Sequence, residues 1–414
     1  MKLDDLDNLD NRLKRMNRHI GGESSGKSAK PTSARTKVPP RYLRLAEALD
    51  AELVHDPAGS YCVVTRTYPF DFSFGDVRLP ELEPGTQWPV ASFETRNAAG
   101  VLSPFTAVFF DTETTGLGGV GAVPFLVGCG SLTPDGLEVR QYLLPDYTDE
   151  AAMLERVMTE FSDDRCLVSY NGRAFDIPLV RDRLIVNRVA RQIPYAHHVD
   201  LLHSSRRLFR RRLGDCSLTN VEREIFGFYR EDDLPGYLVP AAYFDWLSSE
   251  EVGQLPDVLE HNRWDIVTLY FLMARVASIF QTKGGDLDHV DDLYSLSRVF
   301  DRRKERHRVV DIYRRIDESG ERPGEELVWF HSLAFKREGR WEEAVKLWQQ
   351  LGASPTKEGF LASIELAKYY EHRVKDAALA YEIVQQAAEN CPPTAASREG
   401  LLNRLRRLRR KLTK

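Results

Sequence analysis

The chain has 414 residues, enough for two domains, and its 42% hydrophobic and 29% charged content is that of a soluble globular protein. No apolar run reaches the ~18–20 residues of a membrane span, and the charged N-terminus lacks the apolar stretch of a signal peptide. The net charge of −5 gives no general attraction for a polyanion, so any nucleic-acid binding needs local basic patches. Cys62, Cys129, Cys166, Cys216 and Cys391 are odd in number and form no Cys-x-x-Cys pair. They argue against a disulfide framework and a structural zinc site, and fit a reducing cytoplasm.

Residues 1–40 read as a charged, flexible segment rich in Gly, Ser, Lys and Pro. It contains a formal P-loop match at Gly21, Gly26, Lys27 and Ser28. No buried strand precedes the match and no helix-forming run follows it, so it is read as coincidence. Residues 41–99 form an extension packed on the main domain, with a helical piece at 42–53 and a strand at 60–68.

The central stretch is 106–119. Ala107-Val108-Phe109-Phe110 has the character of a strand buried on both faces, and Asp111 and Glu113 follow it. Residues i and i+2 of a strand share a face, so both acids project together. Such a pair raises its own pKa unless a cation intervenes, and hard oxygen ligands suit Mg²⁺ or Mn²⁺. Strands at 124–132 and 137–144 complete a meander, a helix covers 149–161, and a further strand spans 166–170. Asp176 then falls near the start of a helix, where it either favours the dipole or joins the acids. Residues 197–202 read as a last strand bearing Asp200. The run from Arg206 to Arg212 is either a solvated face or a grip on phosphates. His261 and Asp265 lie four apart at the opening of an apolar helix over 266–280 and share a face. They are either a base with its carboxylate or a pair that stabilises a helix start.

These segments resemble the three motifs of the DEDD (DnaQ-like) exonucleases on a ribonuclease-H-like fold. Asp111 and Glu113 match the first motif, Asp176 the second and Asp265 the third. The segment 213–218 is similar to a stretch such nucleases carry between their second and third motifs. More narrowly, the chain resembles the bacterial YprB family, a ribonuclease-H-like domain followed by tetratricopeptide (TPR) repeats. His261 departs from the pattern. The histidine subclass places its His five residues before the last Asp, whereas His261 stands at the four-residue spacing of the tyrosine subclass. The resemblance implies a catalytic set of Asp111, Glu113, Asp176, His261 and Asp265, with the four acids holding two divalent cations. Candidate substrate contacts are Thr112, Thr114, Asn171, Phe175, Arg206, Arg207 and Arg210.

From Leu287 onward the chain reads as helical. Residues 333–344 and 366–377 repeat a TPR-like turn at an offset of 33, against ~34 for TPR helix pairs. The competing reading is an ordinary helical bundle. The tail 404–414 is a basic helix that touches nucleic acid or caps the stack.

The expected architecture is α/β: a ribonuclease-H-like mixed central sheet flanked by helices over 100–282, then an all-α TPR-like domain over 287–414. The expected function is that of a cytoplasmic, metal-dependent 3′→5′ exonuclease acting on DNA, with a link to DNA repair implied by resemblance. The alternatives are a ribonuclease, a structure-selective endonuclease, or a non-catalytic TPR scaffold. A protein partner, a helicase being a candidate, would dock on the repeats.

Overall fold

The computed structural model describes residues 37–78, 82–83, 85–93, 100–116, 121–389 and 395–413, the last range by its backbone alone over 395–397. The P-loop match and almost all of the flexible segment expected over 1–40 lie outside the described residues.

A helix, α1 (Pro40–Ala48), leads into seven strands that form one mixed sheet. They are β1 (Glu52–Asp56), β2 (Gly59–Tyr68), β3 (Ala107–Thr114), β4 (Pro124–Thr133), β5 (Gly136–Leu143), β6 (Cys166–Ser169) and β7 (His197–Asp200). The order across the sheet is β1-β2-β5-β4-β3-β6-β7. Neighbours from β1 to β3 are antiparallel, and β3, β6 and β7 are parallel. The parallel half needs crossovers, which carry α2 (Glu150–Met158) before β6 and α3 (Asp176–Val186) before β7. The N-terminal extension joins the sheet edge to edge, since β2 pairs with β5 from Cys62↔Leu143 to Tyr68↔Leu137.

Ala107, Val108, Phe109 and Phe110 of β3 are wholly buried, as the apolar run predicts. Alternation sends them to two different cores. Val108 and Phe110 pack with Val180 and Leu184 of α3, and Ala107 and Phe109 pack on the far side. That side is covered by α7 (Leu255–Gln281), which follows α4 (Leu201–Leu213), α5 (Leu218–Phe226) and α6 (Val239–Ser249). The Phe109 and Tyr270 rings meet edge to face at 5.6 Å. The helix begins well before the third motif. Pro256 and Asp257 occupy its first turn, as helix starts favour, so His261 and Asp265 lie in its interior.

Helix α7 runs close across β4 because β4 carries two glycines beneath it. A Cβ at Gly128 would stand 2.4 Å from Asn262 Oδ1, and one at Gly130 would stand 2.6 Å from Ile266 Cγ2.

Beyond Gln281 the described residues form helices and the turns that join them. Helix pairs begin with α8 (Val290–Arg302), α10 (Glu325–Arg337) and α12 (Lys357–Tyr369), spaced 35 and 32 residues apart. Their second members, α9 (Arg306–Glu318), α11 (Trp341–Gly352) and α13 (Ala377–Ala387), begin 35 and 36 apart. A π-turn at Tyr370–Val374 lies between α12 and α13. The first pair carries none of the motif residues that mark the others in sequence. One apolar core runs from Phe109 through α7 to Trp348 and Leu366. The last helix, α14 (Ala395–Leu412), closes the stack: Leu401 and Leu408 pack with Ala380 and Val384. Buried Glu371 accepts hydrogen bonds from Arg404, Arg407 and Lys411 of α14.

The close approach of α7 predicts that Gly130→Ala costs about 1–3 kcal/mol, the usual range for overpacking. A urea midpoint that does not move would show that Ile266 yields without penalty.

Candidate active site

On the α7 face of β3, Asp111 and Glu113 follow Phe109 at two-residue spacing. Asp111 lies opposite Gly128 in β4, and Gly128 lies opposite Gln141 in β5. Over that bare glycine sits Asn262 of α7. Its Nδ2 donates to Asp111 Oδ2 at 2.9 Å, and its Oδ1 accepts from Gln141 Nε2 at 3.0 Å. Gln141 Nε2 also donates to the Leu259 carbonyl at 2.7 Å. Asn262 and Gln141 are buried, so this relay fixes both the Asn262 amide and the Asp111 carboxylate.

Thr112 points to the opposite face, where α3 packs, and its hydroxyl donates to Asp176 Oδ1. The first and second motifs therefore meet around the end of one strand. Asp176 opens α3 after a loop held by Asp200, which accepts from the backbone N–H of Asn171 at 2.8 Å and of Arg173 at 3.2 Å. Asp200 also caps α4 through Leu202 N–H. Asn171 adopts φ +63°, which Asn tolerates better than most residues.

Asp265 and His261 face β3 from α7. Donor atoms of Glu113, His261 and Asp265 lie within 4.8 Å of one another. His261 Nδ1 meets Asp233 Oδ1 at 2.8 Å, and Nε2 is 3.7 Å from Asp265 Oδ2. Arg230, almost fully buried, donates to Asp265 Oδ1 and to both oxygens of Glu222, at 2.6 and 2.8 Å. Thr268 also donates to Glu222.

Electrostatics mark the acids as crowded. Burial, then the charges of Asp265, Asp176 and Glu113, raise Asp111 well above the usual carboxylate range, while the Asn262 hydrogen bond opposes. Burial also raises Glu113 to about 7; Asp265 and Asp176 add to the rise, and His261 and Arg230 oppose it. Asp176 is raised to about 6, again chiefly by burial, with the Thr112 hydroxyl opposing. For His261, burial pushes the pKa down, but the charges of Asp265 and Glu113 push it up further, and the net shift is upward. A set of hard oxygen donors that resist ionising together fits divalent cations, whose charge would offset the repulsion.

The other candidates lie in three places. Thr114 donates to the Gly116 carbonyl at 2.8 Å. Phe175, directly before Asp176, is 57% exposed. Arg206 and Arg210 are exposed on α4, and Arg207 donates to the Ser92 carbonyl at 2.6 Å with its guanidinium over Phe280. The site also contains Arg230, Glu222, Asp233, Asn262 and Gln141, none of which the motifs single out. Asn262 carries a signal in sequence, being a polar residue in line with Ile266 on an otherwise apolar helix face. Arg230 and Asp233 lie in the irregular segment between α5 and α6, where no periodicity points to them.

The mixed sheet and its flanking helices are those of an RNase H-like fold, and the RNase H superfamily model matches this chain over residues 108–277. That match spans β3 through α7 and takes in all four acids. The chain is also 32% identical, over 97% of its length and 99% of the relative's, to the "Uncharacterized protein YprB" of Bacillus subtilis (strain 168). It belongs to the YprB family.

Two measurements probe this centre. Glu113 and Asp176 hold their protons more tightly folded than unfolded, so the stability linked to those protons is full below about pH 4 and is lost as pH rises through about 6 to 7. In EDTA the melting temperature should fall across that window, and Mn²⁺ should raise it more above the window than below it. A Mn²⁺ increment independent of pH would remove carboxylate repulsion as the cause. Arg230→Ala strands buried Glu222 and should destabilise the protein by about 3–5 kcal/mol in urea melts. Adding Glu222→Leu should recover much of that loss, and no recovery would mean that Arg230 acts through packing alone.

Proposed function

We propose that this chain is a metal-dependent nuclease that hydrolyses phosphodiester bonds, working as a 3′→5′ exonuclease on DNA. The observation that carries the reading is the convergence of Asp111, Glu113, Asp176 and Asp265 from β3, α3 and α7, with three of them pushed toward neutrality by burial and mutual repulsion. These four acids would hold two divalent cations, Mg²⁺ or Mn²⁺. When bound, the cations supply charge stabilisation at the phosphate and promote ionisation of the attacking water.

The protein's own groups account for the rest. Asp233 on Nδ1 favours a His261 tautomer with Nδ1 protonated and Nε2 free, so Nε2 takes the proton from the attacking water. Asn262 and Thr112 orient Asp111 and Asp176, and Arg230 holds Asp265. Exposed Phe175 offers a face on which the terminal base stacks, worth about 1–3 kcal/mol for such contacts. DNA as substrate, the 3′→5′ polarity and a role in repair rest on the resemblance to DEDD exonucleases and the YprB family.

The helical region is read as TPR-like, supported by helix-pair spacings of 32 to 36 residues against ~34 for such repeats. It would present a surface to a protein partner, with a helicase as candidate. The four cysteines among the described residues are buried and free, which suits the cytoplasm.

End-labelled single- and double-stranded DNA and RNA, each incubated with Mg²⁺ or Mn²⁺, test the reading. Asp111→Asn and Asp265→Asn should abolish hydrolysis with circular dichroism unchanged. His261→Ala should slow turnover by roughly 10²–10⁴-fold, the range of general acid–base catalysis. Wild-type rates in either Asn variant would overturn the assignment, and a near-normal rate in His261→Ala would remove the proton-transfer role.

A further inference from the structure

Helices α4 and α8 enclose a cleft of about 460 Å³ apart from the carboxylate centre. Arg206 and Arg210 line it from α4, and Arg298 and Arg302 line it from α8. Each pair is spaced four residues apart, so each forms a row along one helix face. All four are exposed, and among the described residues none of them forms an ion pair with a carboxylate. The nearby acids are already engaged, because Asp291 and Glu326 pair with Arg211 at 2.7 and 2.9 Å. Tyr294 contributes its ring to the lining, with the Arg211 guanidinium 4.8 Å and the Arg298 guanidinium 5.8 Å from its centroid. The cleft thus offers guanidinium groups without carboxylate partners, and its one aromatic ring is already covered by cations.

We propose that this cleft is a second phosphate-binding site that holds the backbone of a nucleic acid whose end lies at the carboxylates. Guanidinium forks match phosphate oxygens, and four of them outside any salt bridge, against the single carboxylate of Glu326 in the lining, favour a polyanion. With the Tyr294 ring taken up by Arg211 and Arg298, nothing here stacks on a base, so the contact reads backbone and not sequence. Placement agrees with this role. Helix α4 starts at Asp200, the residue that caps the loop before Asp176. At 1.5 Å per residue, Arg206 and Arg210 stand about 9 and 15 Å further along that helix. A strand reaching them passes from the nuclease domain onto α8 of the helical region. The inference rests on the nuclease reading for the other end of that strand.

The test uses the full chain and the variant Arg298→Ala/Arg302→Ala, which changes two exposed side chains outside the carboxylate centre. Fluorescence anisotropy of a long single-stranded DNA in EDTA gives affinity as a function of salt. The variant should bind about tenfold more weakly. Its slope of log affinity against log salt should shrink by about 1.4, at ~0.7 for each single-strand phosphate that is no longer neutralised. Hydrolysis of a dinucleotide with Mn²⁺, too short to reach α8, is measured alongside. If wild-type protein hydrolyses the dinucleotide and the variant keeps the wild-type affinity and salt slope, the cleft proposal is overturned while the nuclease reading stands. If wild-type protein hydrolyses nothing but the salt slope shrinks in the variant, the nuclease reading fails and the phosphate site is supported. A calorimetric titration with ATP separates backbone from free nucleotide. Saturable ATP binding that is abolished in the variant and not displaced by the long strand would overturn the backbone assignment.

Discussion

Repulsion among carboxylates crowded at one end of a strand is the constraint to which the surrounding structure responds. Asp111, Glu113 and Asp176 are all driven toward their neutral forms where they stand. Each is nevertheless fixed or flanked by a group that steadies it. Asn262 holds Asp111, Thr112 holds Asp176, and the charges of His261 and Arg230 oppose the rise at Glu113. Arg230 is itself tied to buried Glu222, so part of the carboxylate field is balanced by a pair that lies away from the strand. The arrangement stores unfavourable charge that a divalent cation would relieve. The feature that shapes the site is thus also the one from which affinity for such an ion would come.

Helix α7 makes that arrangement possible. One side of it supplies Asn262, His261 and Asp265, and its apolar side closes the sheet through Ile266 and Tyr270. Further along, Val276, Ile279 and Phe280 continue into the core of the helical region. Gly128 and Gly130 set how near it can come to the sheet. The position of the acids and the seating of the helical region thus depend on the same contact.

Sequence and structure agree where local pattern decides the outcome. The apolar run of β3, the meander that follows and the strand at Cys166 all announce themselves by composition; the last three strands lie within a residue of their expected bounds, and β3 continues four residues past its apolar run, through both acids to Thr114. Partners are harder to read. The strand ending at Tyr68 is visible by its β-branched residues, but nothing local shows that it will pair with β5 some eighty residues later. The start of α7 is signalled by Pro256 and Asp257, ahead of the His261 that the third motif emphasises. Arg230 and Asp233 have no sequence signal, since residues in irregular segments are placed by tertiary contacts and leave no periodic trace. The pair α8 and α9 is equally unmarked, because its helices share the spacing of the later pairs without their turn residues.

The wiring of the centre also sets an order of assembly. Asn262 meets Asp111 across 151 residues of chain, and Gln141 meets it across 121. Contacts so distant in sequence close slowly, because the entropy of the intervening loop is lost before the contact stabilises anything. During synthesis the strand bearing Asp111 and Glu113 is complete long before Asp265 exists. A partly made chain therefore carries three of the acids with no α7 to cover them, and the glycines of β4 lie bare until that helix arrives. Late closure of this kind leaves the centre incomplete on any nascent chain that has not yet reached Asp265.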